Sequence, residues 1–149
     1  MSNSLTCVID ANIAAKLFVP EPLSDKADAL FAHLADVNAR LCVPDVFYVE
    51  LGSVLLKLTR NKWLSANDAA LNLQTLMSLR LKRFATFDLI ADALRIGAAN
   101  MIAMYDAVYV TLAARLGAPL ITDDERLAQA MAHTAYDVRT LAEFEFPAA

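Results

Sequence analysis

Three short apolar runs, Leu5–Ile9, Leu41–Val43 and Pro119–Ile121, are continuous and β-branched at their ends, the pattern of strands covered on both faces. Between them lie segments of helical period: Leu23–Leu34, Val46–Arg60, Ala66–Leu79, Phe87–Ala98 and Tyr105–Leu116. A helix over Asp124–Ala132 follows the third run, and Arg83–Ala85 and Ala135–Val138 form two further short elements. Strands alternating with helices predict an α/β fold: a short, mostly parallel central sheet of about five strands with helices on both faces. Punctuation agrees, since Pro20 and Pro22 break the first helical region, Pro44 follows the second strand and Gly117-Ala118-Pro119 ends a helix. The tail Phe144–Ala149 reads either as a last strand edge or as a frayed end.

With 149 residues, no internal repeat and no linker, residues 1–149 form one domain. An apolar fraction of 58 % against 20 % charged excludes a disordered chain and is high enough to suggest burial against a second copy. The most apolar stretch, Ile96–Ile121, carries Asp106, Arg115, Gly117 and Pro119, which fits a buried helix followed by a strand better than a membrane span. The N-terminus, Met-Ser-Asn-Ser-Leu-Thr-Cys, lacks a basic region and a long apolar run, so no secretory signal and a cytoplasmic location are expected. Cys7 and Cys42 lie in apolar runs, away from any CxxC or Cys/His spacing, as reduced core thiols would. A net charge of −4 opposes nonspecific attraction to polyphosphate and argues against a nucleic-acid-coating protein.

Four acids stand where solvation alone would not put them. Asp10 directly follows Cys7-Val8-Ile9, and Asp124 stands just beyond Leu120-Ile121-Thr122, each at the carboxyl end of a strand. That edge is where ligands bind open α/β sheets. Glu50 shares a helix face with Val46, Phe47 and Val54, and Asp106 shares one with Tyr109, Val110 and Ala113. Helix capping is an alternative for Asp10, Asp106 and Asp124 but not for Glu50 in mid-helix. No Lys or Arg adjoins Asp10, Glu50 or Asp106 in sequence, and only Arg126 lies near Asp124. A converging set of this kind calls for a hard divalent cation with oxygen ligands, Mg²⁺ or Mn²⁺, to which Asn12 and Thr122 would add neutral oxygens.

The segments Val8-Ile9-Asp10-Ala11-Asn12, Val49-Glu50-Leu51, Tyr105-Asp106-Ala107-Val108-Tyr109-Val110-Thr111-Leu112-Ala113 and Leu120-Ile121-Thr122-Asp123-Asp124-Glu125-Arg126-Leu127 resemble, in order, the four blocks of PIN-domain proteins, in particular the VapC-type toxins of toxin–antitoxin pairs. The resemblance implies a three-layer PIN fold and a Mg²⁺- or Mn²⁺-dependent endoribonuclease of a type II pair, cytoplasmic and homodimeric, inhibited by a cognate antitoxin. It carries metal binding and catalysis onto Asp10, Glu50, Asp106 and Asp124, with Thr122 as hydroxyl neighbour and Asp123 as the alternative to Asp124. His33 and His133 need no catalytic role in that chemistry. Lys57, Arg60, Lys62, Arg80, Lys82 and Arg83 are candidates to hold the RNA backbone, although solvated helix ends show such clusters too. Two other functions remain as alternatives. A receiver- or dehalogenase-like phosphoryl-transfer domain lacks its partner Asp at position 12 and its strand-end Lys, and an inactive PIN-like interaction module has no use for the acids.

Overall fold

The computed structural model describes residues 4–149, so the first three residues read for a leader lie outside the described residues. Five strands form one sheet: β1 (Thr6–Ile9), β2 (Arg40–Pro44), β3 (Lys82–Phe84), β4 (Leu120–Thr122) and β5 (Val138–Thr140). Their order is β3-β2-β1-β4-β5, and every adjacent pair is parallel. The α/β class, the strand number and the parallel pairing are as the alternating pattern predicts.

Between strands run α1 (Ala11–Ala15), α2 (Ser24–Phe31), α3 (Val46–Arg60), α4 (Ala66–Ser78), α5 (Ile90–Asn100), α6 (Met104–Leu116) and α7 (Glu125–Met131). Right-handed crossovers put α1–α4 on one face of the sheet, because β1→β2→β3 step in one direction. The return steps β3→β4→β5 put α5–α7 on the other. The direction reverses between β1 and β4, which makes their carboxyl ends the topological switch point of the sheet.

The core is centred on that seam. Cys7, Val8, Ile9, Leu120 and Ile121 are inaccessible to solvent, as are Phe47 and Leu51 of α3. Helix α6 is apolar nearly all round and buries every residue from Ala107 to Ala113, which is why it reads as a core helix. Among the described residues no single helix is long and apolar enough to cross a membrane. Cys7 and Cys42 are buried free thiols.

Three boundaries differ from the pattern. The last strand lies at Val138–Thr140 rather than Ala135–Val138. The Thr134 hydroxyl donates to the Met131 carbonyl and accepts from the Tyr136 N–H, which holds residues 134–136 in a turn and delays pairing until Val138 reaches Leu120. The segment at Phe87 opens as a 3-10 turn, Thr86–Leu89, before α5, and α2 passes into a 3-10 turn at Ala32–Ala35. The tail is neither a strand nor frayed at its start: Phe144 is buried, and Phe146 sits edge-on to the buried His33 at 5.5 Å.

Candidate functional site

Register brings the first two acids together. Ile9 pairs with Ile121, and the Asp10 N–H donates to the Ile121 carbonyl at 3.0 Å, so Asp10 leaves β1 beside Thr122. The Thr122 hydroxyl donates to Asp10 Oδ2 at 2.9 Å and accepts the Asp124 N–H at 3.1 Å. Asn12 joins the same group: its amide donates to Asp10 Oδ2 at 3.4 Å and to Thr122 Oγ1 at 3.3 Å, while its Oδ1 accepts the Asp123 N–H at 3.0 Å. Strand β1, α1 and the β4–α7 loop are thereby stitched together around one carboxylate.

Glu50 lies one turn into α3, which begins where β2 ends, and Asp106 lies in the first turn of α6. Both are half-buried. The phenol of Tyr109 donates to Glu50 Oε2 at 3.4 Å, and Glu50 Oε1 is buried without a partner. Asp10 is 6 % exposed.

Several of these groups bear on one another's proton affinity. Burial pushes Asp10 from 3.8 up to about 6; the Thr122 hydroxyl opposes this and the charge of Asp106 adds to it. The Ala11 and Asn12 N–H groups lie near enough to favour the ionised form slightly, yet neither makes a capping hydrogen bond. Burial raises Glu50 from 4.5 to about 7, with Asp10 and Asp106 contributing and Tyr109 opposing. Asp106 is raised by burial and then by Asp124, and the Tyr109 phenol by burial and then by Asp10 and Glu50. Asp106 bears on Asp10 and Glu50, Asp10 on Glu50, and Asp124 on Asp106, which links the four pairwise at this end of the sheet. Among the described residues none of the four forms an ion pair.

Asp123 and Asp124 part company here. Asp124 is half-buried at the N-cap of α7, where Oδ1 accepts the Arg126 and Leu127 N–H groups at 3.0 and 3.3 Å. Capping therefore occupies one of its oxygens, as the bland alternative for this residue holds. Asp123 is exposed and pairs with Lys16 at 3.1 Å. Lys16, whose side chain is 3 % exposed, also contacts Glu21 at 3.2 Å and the Pro22 carbonyl at 2.8 Å. Lys16 escapes a reading of sequence neighbours because it reaches Asp123 from the C-cap of α1, across more than a hundred residues. Tyr109 is the other residue missed; its position three after Asp106 was the available signal.

Two further sequence expectations separate. Arg80 donates to the Leu34 and Asp36 carbonyls at 2.6 and 3.1 Å, so its guanidinium closes a 3-10 turn. Lys82 and Arg83 are exposed on β3, an edge strand, where cations discourage pairing with another chain. A groove of about 440 Å³ lined by Val110, Gly117 and Asp137 lies at the opposite, N-terminal end of β4 and holds none of the acids.

The donors suit a hard cation. They are all oxygen, Asp10 and Asp106 raise the proton affinity of Glu50, and one oxygen of Glu50 is buried without a hydrogen-bond partner. Among the described residues no three acidic, His or Cys side chains converge tightly enough to enclose an ion as they stand.

Fold and cluster together define a parallel α/β domain with a carboxylate site at its switch point. The PIN domain family model matches residues 7–132, and the chain belongs to that family. It is 29 % identical over 124 residues to Ribonuclease VapC3 of Pyrobaculum aerophilum, covering 82 % of this chain and 92 % of that protein. A crystal structure of a Pyrobaculum aerophilum protein matches with a TM-score of 0.71 at 20 % identity, over 93 % of this chain and 92 % of that one. A toxin–antitoxin complex from Klebsiella pneumoniae matches at 0.60 and 17 % identity, over 94 % of this chain and 99 % of that one.

Proposed function

We propose that this chain is a divalent-metal-dependent endoribonuclease, the toxin of a type II toxin–antitoxin pair, with Asp10, Glu50, Asp106 and Asp124 as its metal-binding and catalytic acids. What carries the reading is the presence of four carboxylates near the switch point, none of them ion-paired among the described residues, with one Glu50 oxygen buried and unbonded. A stable fold has no reason to concentrate like charge there unless a cation binds. The relative named Ribonuclease VapC3 supports RNA as substrate, and the Klebsiella complex supports an antitoxin as partner.

When bound, Mg²⁺ or Mn²⁺ supplies an acidified water and a counter-charge for the phosphoryl oxygens of the scissile bond. The chain's own groups supply the rest. Thr122 and Asn12 hold Asp10 in one orientation, Tyr109 holds Glu50, and capping by one oxygen leaves the other oxygen of Asp124 free. Asp123, engaged by Lys16, takes a supporting position, and Asp124 is the fourth acid. Exposed apolar side chains on α3–α5, among them Leu56, Leu71 and Leu94, fit a homodimer and an antitoxin contact.

The test is incubation of the purified chain with total RNA in Mn²⁺ and in EDTA, beside D10N. Cleavage requiring both the ion and Asp10 supports the reading. Cleavage indifferent to EDTA overturns the metal, and no cleavage of any RNA favours the inactive interaction module. Phosphate transfer from a small donor to Asp10 would favour the phosphoryl-transfer alternative.

A further inference from the structure

The end of α3 breaks a local rule. The Trp63 N–H donates to the Leu58 carbonyl at 3.0 Å and the Lys62 N–H to the Thr59 carbonyl at 3.1 Å. These are the paired hydrogen bonds of a Schellman cap, whose left-handed position is normally glycine. Here Lys62 holds it, at φ 60, where an L side chain is strained. The following residue of this cap commonly folds its apolar side chain back on the last turn, yet Trp63 is 76 % exposed. Leu23 and Met101 also have positive φ, but neither sits in a run of cations.

Charge is concentrated at the same place. Lys57 and Arg60 lie three apart in the last turn of α3 and so share a side, and Lys62 follows directly. All three are exposed, and among the described residues none forms an ion pair. The stretch Lys57–Trp63 holds three cations and no acid in a chain of net charge −4. Cations flanking an exposed indole suit an unpaired nucleotide strand, with the ring for a base and the ammonium and guanidinium groups for phosphates.

We infer that the turn ending α3 is a contact for single-stranded RNA, in which Trp63 stacks on an unpaired base and Lys57, Arg60 and Lys62 hold the adjoining phosphates. This rests on the ribonuclease reading and adds to it a site for substrate away from the acids. Glu50 and Trp63 are about 20 Å apart along the helix, at ~1.5 Å per residue. The contact therefore holds the strand without touching the reacting phosphate, and it is felt in KM more than in kcat.

Trp63 is the chain's one tryptophan, so emission excited on the red edge, where its tyrosines do not absorb, reports on this position alone. The full chain, with metal chelated so that nothing is cut, is titrated with a single-stranded oligoadenylate of about a dozen nucleotides. Quenching of Trp63 is expected, and a blunt RNA duplex of equal charge should quench much less. Affinities of variants are read from the anisotropy of the labelled oligonucleotide. W63A should bind between about fivefold and a hundredfold more weakly, with W63F restoring part of the loss. K62G separates a functional from a structural role. Glycine relieves the left-handed strain and raises the thermal midpoint by a few degrees, while affinity falls and the salt slope shrinks by about 0.7. Unchanged emission at saturating oligonucleotide, or wild-type affinity in both W63A and K62G, overturns the inference. So does emission that follows protein concentration instead of RNA, which would mark the indole as a contact between copies of the chain. Manganese-dependent cleavage without quenching removes this contact and leaves the nuclease; quenching without cleavage of any RNA removes the nuclease.

Discussion

Replacing Asp10 with Asn should stabilise the metal-free protein, and the gain should depend on pH. The Asp10 carboxyl is 6 % exposed and its pKa rises from 3.8 to about 6. At ~1.4 kcal/mol for each tenfold change in proton affinity, ionising it in the fold costs about 3 kcal/mol. A carboxyl raised in the folded state binds more protons there than in the unfolded chain between pH ~4 and ~6. Stability therefore falls as pH rises through that window, and the full penalty is present above about pH 7. At pH 4 less than about 1 kcal/mol of it remains. Asn keeps an oxygen for the Thr122 hydroxyl while removing the charge, so D10N should gain about 1–3 kcal/mol at pH 8 and little at pH 4. In a chain of this size that is about 5 °C in thermal midpoint, and at most about 10 °C.

Metal should reverse the comparison. A cation at a hundred times its Kd adds about 2.7 kcal/mol to the wild type and far less to a variant missing a ligand. Thermal melts followed by circular dichroism at pH 4 and pH 8, in EDTA and in Mn²⁺, separate the two effects. If D10N melts at or below the wild type at pH 8 in EDTA, or by the same margin at both pH values, Asp10 carries no buried charge penalty and the electrostatic argument fails.

Asp124→Asn should keep the α7 cap, since Asn caps nearly as well as Asp, and should abolish metal-stimulated cleavage with under about 0.5 kcal/mol change in stability by denaturant titration. Asp123→Asn should do the opposite, leaving Lys16 with one carboxylate partner and lowering stability by about 1–3 kcal/mol while most of the cleavage persists. Tyr109→Phe removes a donor that favours ionised Glu50, so the acidic limb of the cleavage pH profile should move to higher pH, at a stability cost of about 1 kcal/mol. Arg80→Ala should lower the thermal midpoint by a few degrees and leave RNA affinity unchanged, because its guanidinium is committed to the Leu34 and Asp36 carbonyls.

Legibility followed sequence distance. Asp10 and Asp124 could be placed because a strand that stops at an Asp needs only local pattern to recognise. Glu50 and Asp106 could be placed on apolar helix faces because helical period is local too. What relates these faces to one another is register, and register is set by contacts no window of sequence contains. Hence Lys16, whose partner Asp123 lies on another crossover, was invisible, and Arg80 read as a surface cation although it closes a turn more than forty residues earlier. The last strand was displaced by three residues for a related reason: its apolar run began earlier, but Thr134 committed those residues to a turn.

Two of the places where this chain departs from its own stability are of different kinds, and the difference separates their roles. At the switch point the strain is electrostatic: Asp10 and Glu50 have raised pKa values, and Thr122, Asn12 and Tyr109 offset only part of the cost. A bound cation would answer that strain and would link the stability of the free protein to its chemistry through one equilibrium. At the end of α3 the strain is conformational, a lysine where glycine would serve the helix better, and no ion relieves it. What a lysine adds there is charge beside an exposed ring, which matters only when a strand is bound. Local rules are kept across most of the sheet and core, and a departure without structural compensation marks a residue retained for another purpose. On this argument the acids govern whether a bond is cut, and Lys62 and Trp63 govern how long the strand stays to be cut.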